Sequence, residues 1–160
     1  MAGCLPQRQI LTMLCSTLLL LSQNLSQRAH EVSMNHQQKQ SEEQTTRRVI
    51  DAFNEAFNRH DADSLSALLT DDTVFEDTSP PPDGRRFEGR AAVVEFWREW
   101  FARNPDARFE AEEIIVSGNR AVVRWVYRKM RNNQPWHLRG VDVFTVRDGT
   151  VAAKLAYVKG

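Results

Sequence analysis

Apolar side chains in residues 45–59 fall at Val49, Ala52, Phe53, Ala56 and Phe57, the spacing of one face of a helix, with Thr45 or Thr46 placed to cap it. After His60 a second, shorter helix is expected from Leu65, Leu68 and Leu69, capped by Asp61 or Asp63 and ended by Thr70-Asp71-Asp72. A third follows Gly89, where Val93, Phe96, Trp97, Trp100 and Phe101 form one apolar stripe that stops at Asn104-Pro105. Beyond residue 106 the period changes from helical to two. Strands are expected over residues 107–116, 120–130, 136–146 and 151–158, separated by Ser117-Gly118-Asn119, Asn132-Asn133-Gln134 and Asp148-Gly149. Such short turns make neighbouring strands antiparallel. A further strand precedes the third helix at Thr73-Val74-Phe75-Glu76-Asp77 and breaks at Pro80-Pro81-Pro82.

Helices first and a meander last is an α+β organisation. A long twisted sheet that covers three helices curls, and a curled antiparallel sheet wrapped around helices leaves a conical barrel with an apolar pocket at its mouth. The pattern therefore points to a small apolar ligand.

Strand alternation singles out two acids. Thr73, Phe75 and Asp77 share a face, and so do Trp136, Leu138, Gly140, Asp142, Phe144 and Val146, so Asp77 and Asp142 each interrupt a greasy row. A buried carboxyl group resists ionisation, and two carboxyls in different surroundings of one cavity can act as base and acid. Structural readings stand beside this one: Asp77 as acceptor for backbone amides of the proline turn, and Asp142 paired with Arg124 or displaced by a bulge at Gly140. Phe53, Trp97, Trp125, Tyr127 and Tyr157 are the candidates to line the ligand space. The histidines lack the companions of a metal site, and no metal or other cofactor is expected.

Composition narrows the function further. The 160 residues suit one domain with a tail, and 21 basic against 21 acidic residues leave no net field to draw nucleic acid or an anionic membrane. Both cysteines, Cys4 and Cys15, precede the domain, so a thiol nucleophile, a cysteine-zinc site or a disulfide framework inside it is excluded. Residues 10–22 form an apolar run too short for a stable membrane span and similar to the core of a signal peptide, without a small-residue cleavage site. The protein is exported if residues 1–29 act as a signal, and cytoplasmic if translation starts near Met34. Polar residues 22–44 read as a flexible lead. The chain thus divides into a signal-like stretch and lead over residues 1–43 and a domain over residues 44–160.

The segments VIDAFNEAFNRHDADSLSALLTDDTVFED, FEGRAAVVEFW, RGVDVFTVRDGTV and KLAYVKG, in this order, resemble the nuclear transport factor 2-like superfamily and, within it, its SnoaL-like and ketosteroid isomerase-like groups. The resemblance covers nearly all of the domain and implies a curved sheet with three helices around a conical pocket. It implies a general-base aspartate at Asp77 and a protonated, oxyanion-stabilising aspartate at Asp142, a pairing for which ketosteroid isomerase is the standard example. Those isomerases' tyrosine donor falls on Phe53, which has no hydroxyl. Isomerisation or polyketide cyclase-like ring closure is implied as the chemistry, and a homodimer as the assembly. Epoxide-opening relatives use carboxylates with an arginine, for which Arg124 or Arg139 could be proposed, though strand parity leaves Arg139 outside. The alternative within the same fold is a binding or dimerisation module without turnover.

Overall fold

The computed structural model describes residues 7–159, with side chains for residues 23 and 24 and from residue 26 onward. The chain divides after Gln40 into two units. In the first, helix α1 (Gln7–Asn58) begins and carries exposed side chains from residue 26, with His36 and Gln40 in contact one turn apart at 3.0 Å. The polar lead expected to lack regular structure is therefore helical: Gln, Glu, Lys and Arg are good helix formers, and i,i+4 contacts support them. The signal-like run keeps the helical backbone from Gln7, but the side chains that would decide its role lie outside the described residues. Among the described residues no helix is long and apolar enough to cross a membrane.

The second unit holds the rest of α1, helices α2 (Ala62–Ala67) and α3 (Arg90–Arg103), and strands β1 (Leu69–Glu76), β2 (Arg86–Glu88), β3 (Arg108–Ser117), β4 (Arg120–Arg131), β5 (Gln134–Arg147) and β6 (Thr150–Val158). Asp61 caps α2 by accepting the Ser64 amide at 3.0 Å and the Ser64 hydroxyl at 2.5 Å. These bonds and the nearby Arg59 charge hold the Asp61 carboxyl below its usual range. Leu69, expected in this helix, instead opens β1.

The six strands lie in the order β2-β1-β6-β5-β4-β3. From β3 to β6 the sheet is the antiparallel meander that the turns predict, but β1 runs parallel to β6, so the sheet is mixed and not closed. Turn lengths reveal only hairpin pairings, and the pairing of β1 with β6 joins strands far apart in the chain. Buried Thr73 fixes it by donating its hydroxyl to the Val151 carbonyl at 3.0 Å.

One face of the sheet packs on the helices. Ile50, Phe53 and Ala56 of α1, Leu65 of α2 and Val93, Phe96, Trp97 and Phe101 of α3 are buried against Phe75, Val123, Trp125, Phe144, Val146 and Val151. Phe53 sits at the centre, its ring edge-on to Trp97 at 5.4 Å and to Phe144 at 5.3 Å. Buried Thr46 ties α1 to the β3–β4 turn by donating to the Gly118 carbonyl at 2.9 Å.

Candidate active site

Asp77 follows the last residue of β1, and the alternation that buries Thr73 and Phe75 turns it inward. Its amide donates to the Arg85 carbonyl at 2.8 Å across the neck of the proline loop. Gly84 in that loop has φ +74°, and a Cβ there would lie 1.8 Å from the Asp77 carbonyl oxygen, so only glycine fits beside the acid. Oδ1 accepts the Thr78 amide at 2.8 Å, while Oδ2 has only a long 3.4 Å contact with the Arg85 guanidinium. The side chain is 17% exposed, so this carboxylate is sheltered but reachable.

Asp142 lies on the inner face of β5, and its backbone neighbour across the sheet is Ala156 of β6. Its Oδ2 is 2.8 Å from Nζ of Lys154, whose Cα stands opposite Phe144, two residues along β5 on the same face. Both side chains are at least nine-tenths buried. Oδ1 is buried without a hydrogen-bond partner among the described residues. Asp142 therefore does not stand alone: its partner is a lysine from β6. Arg124, the partner considered for Asp142, belongs to the other face, where it pairs with Glu112 and Glu113.

Lys154 is the cavity-lining side chain that alternation misses. From Val151, period two carries Ala153, Leu155 and Tyr157 inward and Lys154 outward. In the structure Val146 pairs with Val151 and Thr145 with Ala153, so β6 has one residue more than β5 at this point, a bulge at Ala152. The bulge reverses the parity. Val151, Lys154 and Ala156 face the helices, and Tyr157 is turned out, 51% exposed, which removes it from the set of ligand-lining residues.

Asp77, Thr78, Asp142 and Lys154 border one cavity of about 110 Å³. Its walls are aromatic: Phe57 from α1, Phe96, Trp97 and Trp100 from α3, Phe75 from β1, and Phe109, Trp125 and Tyr127 from β3 and β4. Trp97, Trp125 and Tyr127 are thus among the lining residues. Phe53 lines a second chamber of about 30 Å³, which Asn54, Trp125, Asp142 and Lys154 also border. Asn54 was not foreseen, yet its Nδ2 is buried without a partner among the described residues, as are the indole nitrogens of Trp97 and Trp125. Gly140 leaves room for Trp125: a Cβ there would fall 2.4 Å from one atom of that ring and 2.2 Å from the Tyr157 carbonyl. Tyr127 extends the wall toward Asn104, whose Oδ1 lies 3.4 Å from its hydroxyl, and burial, with the Asp106 charge adding to it, pushes its pKa up to about 12. Among the described residues no cluster of His, Cys, Asp or Glu comes together as a metal site.

The SnoaL-like domain family matches residues 50–154, the stretch that contains both acids and the lysine. Among solved structures, a nuclear transport factor 2-like protein of unknown function from Mesorhizobium loti is 37% identical, with a TM-score of 0.66 over 74% of this chain and 93% of its own. A proposed polyketide cyclase from Xanthomonas campestris is 26% identical, with a TM-score of 0.58 over 74% and 93%. A proposed ketosteroid isomerase from Kribbella flavida, 21% identical with a TM-score of 0.62 over 74% and 81%, shares the fold. A comparison with curated proteins gives no match.

Proposed function

Because the chain belongs to the SnoaL-like domain family, we propose that its aromatic cavity binds a small, mostly apolar carbonyl compound and that Asp77 moves a proton on the carbon next to the carbonyl, leading to isomerisation or cyclisation. The observation that carries this reading is the shared cavity: a sheltered carboxylate and a buried carboxylate–ammonium pair border one aromatic space. The likeness to a proposed polyketide cyclase supports the same class of reaction.

Asp77 takes the proton through Oδ2, the oxygen with the weaker protein contact. As the carbon–hydrogen bond breaks, its electrons move onto the carbonyl oxygen. Lys154 offers N–H donors to that oxygen, and Asp142 holds the ammonium in place. A preorganised donor of this kind is worth roughly 10²–10³ in rate. Return of the proton to a different carbon gives the isomer, and attack of the enolate on a second carbonyl closes a ring. Lys154 thus takes the oxyanion role that the family resemblance gave to a protonated Asp142. The volume of about 110 Å³ bounds the substrate. A dry cavity of about 150 Å³ takes benzene and drug-sized ligands need about 300 Å³ or more, so a small single-ring compound is the upper bound and a steroid does not fit.

The test is deuterium exchange of α-protons in a panel of small ketones, followed by NMR. The native protein is expected to accelerate exchange for at least one of them, and Asp77→Asn to lose about 10²–10⁴ of that acceleration while its circular dichroism is unchanged. Equal exchange by the variant overturns the role of Asp77. Tight ligand binding with no exchange by either protein favours a binding module.

A second copy of the chain is the partner proposed for the outer face of the sheet. Ile115, Val122, Val143 and Leu155 stand in register across β3, β4, β5 and β6, an apolar band. Exposure of Ile115 at 56% and Tyr157 at 51% supports its being covered by another protein surface.

A further inference from the structure

We infer that Lys154 is also a nucleophile, and that its amine forms an imine with a small aromatic aldehyde or ketone held in the cavity. The inference rests on the proposal that this cavity takes a carbonyl compound. It adds a covalent step that electrostatic stabilisation alone does not require.

Three observations carry it. Lys154 is the one buried lysine of the four in the chain; Lys39 and Lys159 are exposed and Lys129 is half-buried. The amine projects among aromatic rings, 5.1 Å from the centre of Phe75 and 5.7 Å from that of Phe144, where water is scarce and a flat ring can lie alongside. Its ion-pair partner among the described residues is Asp142 Oδ2, 2.8 Å away, a distance over which a proton passes directly. A surface lysine has neither the walls nor the base.

The step balances with these groups alone. The proton passes from Nζ to Asp142 Oδ2, and the nitrogen lone pair forms a bond to the carbonyl carbon as the carbon–oxygen π electrons move to oxygen. Asp142 returns its proton to that oxygen while the nitrogen gives up a second one to the carboxylate, leaving a carbinolamine. Protonation of its hydroxyl by Asp142 breaks the carbon–oxygen bond, water leaves and a carbon–nitrogen double bond remains; the sum is ammonium plus carbonyl giving protonated imine plus water. The chamber of about 30 Å³ beside Lys154 is large enough for that water, for which about 10–15 Å³ is sufficient. Asn54 Nδ2 and Asp142 Oδ1, both buried and unpartnered, border the chamber and supply the donor and acceptor that a water needs. Asp77, on the same main cavity, is then placed to take the α-proton of a protonated imine and form an enamine.

Benzaldehyde is the probe, added to the full chain with cyanoborohydride, which reduces an imine to a stable secondary amine. Peptide mapping by mass spectrometry is expected to find the benzyl group on Lys154 at least about tenfold faster than on Lys129, through the proximity of bound aldehyde. Lys154→Arg should remove that label and retain quenching of tryptophan fluorescence by benzaldehyde, since Trp97, Trp100 and Trp125 line the cavity. Quenching in the native protein with Lys154 labelled no faster than Lys129 overturns the nucleophile and leaves the cavity reading intact. Neither quenching nor selective labelling overturns both. The native protein decides the matter even if the variant does not fold.

Discussion

At the scale of single residues, the Lys154–Asp142 pair has the largest expected effect on stability. Removing one member leaves the other charge buried without a partner, which costs about 3–5 kcal/mol, whereas replacing both by apolar residues of similar size is close to neutral. Lys154→Met is therefore expected to lower the denaturation midpoint sharply and Lys154→Met/Asp142→Leu to recover most of the loss, read from urea unfolding curves. Tyr127 gives a pH signature. Its folded-state pKa, raised to about 12 from 10.0, means that the unfolded chain releases the phenolic proton before the folded chain does. Stability should fall as pH rises through that interval, and Tyr127→Phe should flatten the fall, measured as unfolding midpoints in a pH series. Both acids were legible in the sequence because strict alternation held from Thr73 to Asp77 and from Trp136 to Val146. Lys154 was not, because one extra residue inverted the alternation before it, and Asn54 was not, because a polar side chain on the flank of a helix face carries no period.

At the scale of elements, helix α3 and strands β3, β4 and β5 follow the expected boundaries to within two residues, since turns, glycine and proline mark their ends. β2 is three residues long and has no period to detect, and α1 extends far beyond the apolar stripe because helix propensity continues where amphipathicity stops. The β6 bulge has the most direct chemical consequence of any local feature. Deleting Ala152 should remove the bulge and keep the register on both sides of it, because Ala153 then follows Val151 directly and still pairs with Thr145, so Lys154 stays toward the helices and Tyr157 stays out. The deletion variant is therefore expected to retain selective labelling of Lys154 by benzaldehyde, with tyrosine–tryptophan energy transfer from Tyr157 unchanged. Loss of the labelling would mean that the strand slips in register instead, turning Lys154 to solvent.

At the scale of the whole molecule, the equal numbers of acidic and basic residues leave association to apolar surface rather than to net charge. The outer band supplies such surface. Val122, 36% exposed and central in it, is the position at which to introduce a charge. Val122→Glu is expected to halve the sedimenting mass if two copies pair through this face, with the fold unchanged because the side chain points away from the core. An unchanged mass would place any assembly elsewhere. The general architecture was legible from the order of helices and strands. Its mixed, open sheet was not, because no local pattern announces which distant strand will lie beside β1.

That neighbour is β6, which the ribosome delivers some eighty residues after β1, as the hydrogen bond between residues Thr73 and Val151, 78 positions apart, records. During synthesis β1 and β2 must wait, with Asp77 already made and nothing to hold it against Asp142. A nascent chain halted before β6 would have all of the aromatic wall and neither the amine nor the strand that brings the two acids together. Assembly of the site is thus a late event in the birth of the molecule, and premature termination should yield a chain that cannot be partly active.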